Sequence, residues 1–240
     1  MSAPTRASTA GRAYLDLRKL ARENHRPAQT ILATTCEIAA IALDDGVIFD
    51  VETATAEPIR DEAIYSGVRV TMTAQLATAR PHFHVDTNVG DPISPAPRNV
   101  HLPQLLGEEI VLRGYPLAMV HAEKIVTAVA RGTVNTRWRD FADIYLLARH
   151  HAIAGTELIR STRRVAEHRQ VQLIPLAQAL LDYGQIGQQR WTAWRRRQRL
   201  EDRLPESFGD VIAAVIDFAD PAIIGSADSH SWDPTTQKWR

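Results

Sequence analysis

The hydrophobic and polar positions change their spacing along the chain. Residues 1–9 are small and polar, which predicts a frayed start, and Ser8 or Thr9 is placed to cap a helix beginning near Gly11. In that helix Tyr14, Leu17 and Leu20 recur at helical spacing. His25-Arg26-Pro27 interrupts it, and Pro27 suits the first turn of a second helix. The second helix should hold Ile31 and Leu32 and run through Ile38, Ile41 and Leu43 to a turn at Asp44-Asp45-Gly46. The period then shortens to two. Val47 to Val51 reads as a strand that Pro58 breaks, and Tyr65-Ser66-Gly67 reads as a turn. Val68, Val70 and Met72 alternate with Arg69, Thr71 and Thr73, predicting a strand with one buried face. After a reversal between Ala77 and Pro81, His82, His84 and Asp86 share one strand face, with Phe83 and Val85 on the other. Gly90-Asp91-Pro92 ends that strand, a loop rich in proline follows (Pro92, Pro95, Pro97, Pro103), and Ile110-Val111-Leu112 reads as a further short strand.

From Pro116 the spacing returns to three and four. Leu117, Val120 and Lys124 fall on one side of a helix, so the lysine continues an apolar stripe. Arg131-Gly132-Thr133 joins it to a second helix that Asn135 caps and whose core stripe is Trp138, Phe141, Tyr145 and Ala148. Further helices are predicted over residues 155–168, 176–183, 188–204 and 208–218. The polar composition from Gly225 to Arg240 predicts a disordered tail. The fold class is therefore α+β. A small mixed sheet, largely antiparallel, occupies residues 1–113, a helical half occupies 114–224, and a tail occupies 225–240.

Composition narrows the function classes. The chain has 240 residues, 28 basic against 28 acidic, so net charge alone implies no nucleic-acid partner. Its distribution is uneven, because residues 190–203 carry six arginines against Glu201 and Asp202. The lone Cys36 excludes an internal disulfide and reads as an inert thiol in a reducing compartment. No apolar run is long enough to cross a bilayer, and MSAPTRASTAGR lacks an apolar signal core, so the cytoplasm is expected.

Three groups carry chemistry. His82, His84 and Asp86 could bind a metal through imidazole and carboxylate, but no further His/Cys cluster completes a zinc shell. Asp86 alone could serve as one carboxylate of a magnesium site. Lys124 could clamp phosphates beside Asp140 and Asp143, which lie three apart on their helix, or could snorkel to water while Arg137 and Arg139 pair with those acids. Arg190, Arg195, Arg196, Arg197 and Arg199 form a basic stripe that Trp191 and Trp194 anchor, suited to RNA or DNA phosphates or simply solvated.

HVDTNVGDPI followed by YPLAMVHAEKIVTAVARGTVNTRWRDFADIYLLAR resembles the AbiEii/AbiGii-type nucleotidyltransferase toxins, including the MenT group. The shared pattern is an acid on a strand followed by Gly-Asp, then Ala-Glu-Lys on a helix, then Arg-Asp-x-x-Asp on the next. The resemblance runs from about Gly11 to Phe208. It implies transfer of a nucleoside monophosphate from a nucleoside triphosphate to an RNA acceptor such as the tRNA 3′ end, with Mg2+ as cofactor and a winged-helix antitoxin as partner. By the same resemblance Asp86 matches a catalytic, metal-holding carboxylate, Lys124 the nucleotide-contacting lysine, and Asp140 and Asp143 the closing acidic pair. One motif of the family is missing. Its Gly-Ser turn followed by Asp-x-Asp has no counterpart, since the sequence contains no Asp-x-Asp. The alternative reading is an inactive RNA- or antitoxin-binding remnant.

Overall fold

Period-two alternation builds the first unit. The computed structural model describes residues 27–60, 66–88, 93–103 and 109–240. The helix predicted around Tyr14, Leu17 and Leu20 and the turn at Gly90-Asp91-Pro92 lie outside the described residues. Strands β1 (Val47–Arg60), β2 (Ser66–Leu76) and β3 (His82–Asn88) form an antiparallel sheet in the order β1-β2-β3. Val68, Val70 and Met72 are buried on one face of β2, as their alternation predicts. Helix α1 (Pro27–Ala39) covers that face with Ile31, while Phe49 and Phe83 meet edge to face at 5.5 Å.

Several local expectations fail here for identifiable reasons. Pro58 does not break β1 but pairs with Val68, because β1 is an edge strand whose outer side needs no donor. Ser66 and Gly67 belong to β2 rather than to a turn, and a side chain at Gly67 would sit 2.9 Å from Ile59. Helix α1 stops at Ala39, and Ile38, Ile41 and Leu43 are exposed, so no packing extends it. The proline-rich loop also contains a strand, β4 (Arg98–Leu102), paired with β5 (Ile110–Gly114).

The second unit comprises Pro92–Arg98 and Tyr115–Arg240. Its helices are α2 (Leu117–Arg131), α3 (Trp138–His150), α4 (Gly155–His168), the short α5 (Leu176–Ala179) and α6 (Tyr183–Ile186), α7 (Gln188–Arg197) and α8 (Phe208–Ile224). Helix α8 is central and packs on α3, α4, α5, α6 and α7. Buried Phe141, Tyr183, Trp191, Phe208 and Phe218 fill the space around it. The single helix expected over 176–183 is two short ones, interrupted where Asp182 takes φ +61°. The helix expected over 188–204 ends at Arg197, with Arg199 at φ +54°.

The expected disordered tail is folded. Strands β6 (Ile153–Ala154), β7 (Ser231–Asp233) and β8 (Lys238–Trp239) pair antiparallel in that order. Trp232 is 3% exposed and donates its indole N–H to the Ala148 carbonyl at 2.6 Å. Trp239 donates to the Phe218 carbonyl at 3.1 Å, and both indoles pack on the Phe218 ring. Polar composition misled because two indoles outweigh the surrounding polar residues in buried area. Trp232→Ala should therefore destabilise the helical unit by about 3–5 kcal/mol, the usual cost of emptying a buried aromatic site. Denaturant unfolding monitored by circular dichroism checks this, and a shift under 1 kcal/mol would contradict the packing described.

Candidate functional site

The reversal between α2 and α3 sets the site. A short 3-10 turn, Gly132–Val134, follows α2, and Gly132 takes φ +52°, which favours glycine. Asn135 is buried and its side chain accepts the Arg137 N–H at 2.8 Å, yet the helix cap is Arg137, not Asn135 as expected. The Asn135 carbonyl accepts the Tyr183 hydroxyl, whose pKa burial pushes up to about 12. The start of α3 is thus fixed to the core from below.

Helix α2 buries Ala118, Ile125 and Val129 on one side and Met119, Ala122 and Val126 against α4 on another. Leu117, Val120 and Lys124 are half-buried at the margin of this face, so the lysine borders the apolar stripe instead of continuing it. Its ammonium meets Asp140 Oδ1 at 2.8 Å and Asp143 Oδ2 at 2.8 Å, both from α3. Side-chain exposures of 18% for Lys124, 14% for Asp140 and 37% for Asp143 place the cluster between surface and interior. Burial by itself would lower the Lys124 pKa, but its hydrogen bonds to Asp140 and Asp143 and their charges outweigh this and raise it. The lysine is therefore charged, and the three groups sum to one negative charge. Arg137 adds a cation 4.0 Å from Asp140 Oδ2, whereas Arg139 turns away to donate to Gln198 Oε1 at 3.4 Å.

One turn before Lys124 lies His121, fully buried with its ring 4.7 Å from that of Phe218. Neither ring nitrogen has a hydrogen-bond partner among the described residues. Burial, reinforced by Lys124 and His151, lowers its pKa to about 3, so the imidazole is neutral. Sequence reasoning passed over it because a histidine beside an apolar stripe carries no distinctive spacing.

Asp86 lies in the sheet unit, in register with Arg69 on β2. Arg69 donates Nε to Asp86 Oδ1 at 2.7 Å and Nη2 to Oδ2 at 2.8 Å. This guanidinium holds the Asp86 carboxyl below the usual carboxylate range. The structure thus gathers Lys124, Asp140 and Asp143 into one cluster and gives Asp86 to Arg69. The alternation of β2 showed that Arg69 points outward, but not which residue of β3 would face it.

The basic stripe divides on inspection. Trp191 and Trp194 are buried and stacked at 5.3 Å, and they anchor α7. Arg190, Arg196, Arg197 and Arg199 are exposed. Arg195 is half-buried and donates to the Leu204 carbonyl at 3.0 Å and the Glu201 carbonyl at 2.8 Å, so it clamps the turn after α7. The Arg139–Gln198 contact sets this basic turn against the first part of α3, next to Asp140. An open groove on the same unit, lined by Leu180, Asp182, Gln188, Ile212 and Ile216, contains none of these residues.

The model of the family described as nucleotidyl transferase AbiEii toxin, type IV TA system, matches residues 15–214. The chain belongs to this family. No curated protein and no solved structure matches it. Membership in the AbiEii family implies a nucleotide substrate and an antitoxin partner. No described helix is long and apolar enough to cross a membrane. Nucleotidyl transfer in this family also implies a divalent metal, yet no group of three His, Cys, Asp or Glu side chains among the described residues could hold one.

The neutral His121 makes an acid-side prediction. An unfolded histidine protonates near pH 6.5, whereas the folded one stays neutral down to about 3. Its contribution is complete above the unfolded value and is lost as pH falls through that window, by at most about 1.4 kcal/mol per pH unit. His121→Leu should flatten the fall in denaturation midpoint between pH 6.5 and 4. An unchanged slope would mean that His121 is not held neutral.

Proposed function

We propose that this chain serves as a nucleotidyltransferase toxin of a type IV toxin–antitoxin system, carrying a nucleoside monophosphate from a nucleoside triphosphate to an RNA acceptor such as the tRNA 3′ end. The observation that carries the reading is the Lys124 ammonium held at 2.8 Å from both Asp140 and Asp143. Two of its three donors are spent on the carboxylates, and the third is left for a phosphate oxygen. Asp143 is the more exposed acid and keeps Oδ1 clear of the lysine, so it can accept a hydrogen bond from the attacking hydroxyl. In the step proposed, the acceptor hydroxyl oxygen bonds to the α-phosphorus, its proton passes to the Asp143 carboxylate, and pyrophosphate leaves with the electrons of the broken P–O bond. Arg190, Arg196, Arg197 and Arg199 would hold the RNA backbone, with Arg195 shaping the turn that presents them. A winged-helix antitoxin and a cytoplasmic setting belong to the same proposal.

A second reading has its own support. The sequence has no Asp-x-Asp, and Asp86 is bonded through both oxygens to Arg69. On that reading the chain binds RNA or antitoxin without transfer. Incubation with magnesium, tRNA and each labelled nucleoside triphosphate separates the two. Label in tRNA, abolished by Lys124→Met, is the outcome expected for transfer. Retained tRNA binding with no label from any of the four nucleotides would leave only the binding role.

The two halves of the proposal are separable by substitution. Lys124→Met should weaken triphosphate binding at least about tenfold, or about 1.4 kcal/mol, and leave tRNA affinity unaltered. Changing Arg196, Arg197 and Arg199 together to alanine should do the reverse and reduce the salt dependence of tRNA binding by about 0.7 in log–log slope per lost phosphate contact to single-stranded RNA. If the triple change left affinity and slope intact, the arginine turn would not be the RNA surface.

A further inference from the structure

The metal implied by the family and the residue matched to it do not fit each other in this chain. Magnesium binds oxygens at about 2.0–2.1 Å and needs carboxylates that are free to approach it. Both Asp86 oxygens instead accept hydrogen bonds from one planar guanidinium, at 2.7 and 2.8 Å. Such fork-to-fork pairing fixes the orientation of both groups. The register adds a second constraint. Arg69 lies across from Glu57 on β1 and from Asp86 on β3, so the cation sits between two acids in a row across the sheet. The row carries one net negative charge with its positive charge at the centre, where an incoming dication would meet it. His84 Nε2, 4.0 Å from Asp86 Oδ2, is the remaining nearby donor on β3.

We propose that Arg69 takes the place of a divalent cation at Asp86, so that this sheet face excludes magnesium and manganese for as long as the guanidinium is present. The inference stands on the sheet unit alone and does not depend on the transfer reading at Lys124. It assigns Arg69 a definite electrostatic role: a permanently charged counterion of the chain itself, placed between Glu57 on β1 and Asp86 on β3. It also defines what removal of the guanidinium exposes. Asp86 would remain with His84 Nε2 4.0 Å from its Oδ2, a carboxylate and imidazole pair of the kind manganese accepts.

Manganese binding to the full chain tests this, read by calorimetry and by paramagnetic broadening of β3 backbone resonances. The unaltered protein should show no manganese binding that Asp86→Asn weakens. Arg69→Met should bind manganese at least tenfold more tightly than the unaltered protein, with broadening centred on Asp86, and Arg69→Met combined with Asp86→Asn should lose the gain. Arg69→Lys keeps a charge and should gain less than Arg69→Met. Cooperative thermal transitions in all variants establish that the sheet persists, and Arg69→Gln replaces Arg69→Met if the latter does not fold. Manganese binding by the unaltered protein that Asp86→Asn abolishes would overturn the proposal. So would the absence of any gain in a folded variant lacking the guanidinium.

Discussion

An ammonium withdrawn from water must be paired, and the pairing of Lys124 governs the helical unit. Lys124 leaves one helix and its partners arrive from the next, so the cluster forms only if α2 and α3 reverse tightly and stay in register. Gly132 permits the reversal, buried Asn135 fixes its exit, and the Tyr183 hydroxyl holds Asn135 in turn. Beneath the lysine lies a neutral imidazole, so the cluster rests on a layer that adds no competing charge. Isolated surface ion pairs are worth little, and this one differs because it is half-buried and its donors are shared between two acids.

The two units handle charge in opposite ways. In the helical unit a cation is outnumbered by acids and held half-buried. On the sheet a guanidinium is bonded through both prongs to one carboxylate in open solvent. Each arrangement pairs its carboxylates with a cation of the chain itself. Burial, and one ammonium shared between two acids, distinguish the helical cluster from the exposed pair on the sheet.

Much of this was legible in the sequence. Val68, Val70 and Met72 alternate as a half-buried strand must, and Trp138, Phe141 and Ala148 recur as a helix core must. The spacing of Asp140 and Asp143 placed the two acids on neighbouring faces of α3, and the resemblance linked them to Lys124. What escaped were features decided by tertiary context. Pro58 is compatible with a strand only at an edge, and edges are a property of the assembled sheet. Arg69 found Asp86 through a register that no local pattern encodes. Arg195 looked like its neighbours, yet two backbone carbonyls of the following turn claimed it. The tail read as solvated because hydropathy averages over windows, whereas Trp232 and Trp239 act singly.

The placement of the indoles has a practical consequence. All five tryptophans of the chain, Trp138, Trp191, Trp194, Trp232 and Trp239, belong to the helical unit. Intrinsic indole emission therefore watches one half of the molecule and is blind to the other. Emission and a probe of β content would trace separate curves if the halves melt independently, so the protein carries its own optical label for asking whether its two units unfold as one.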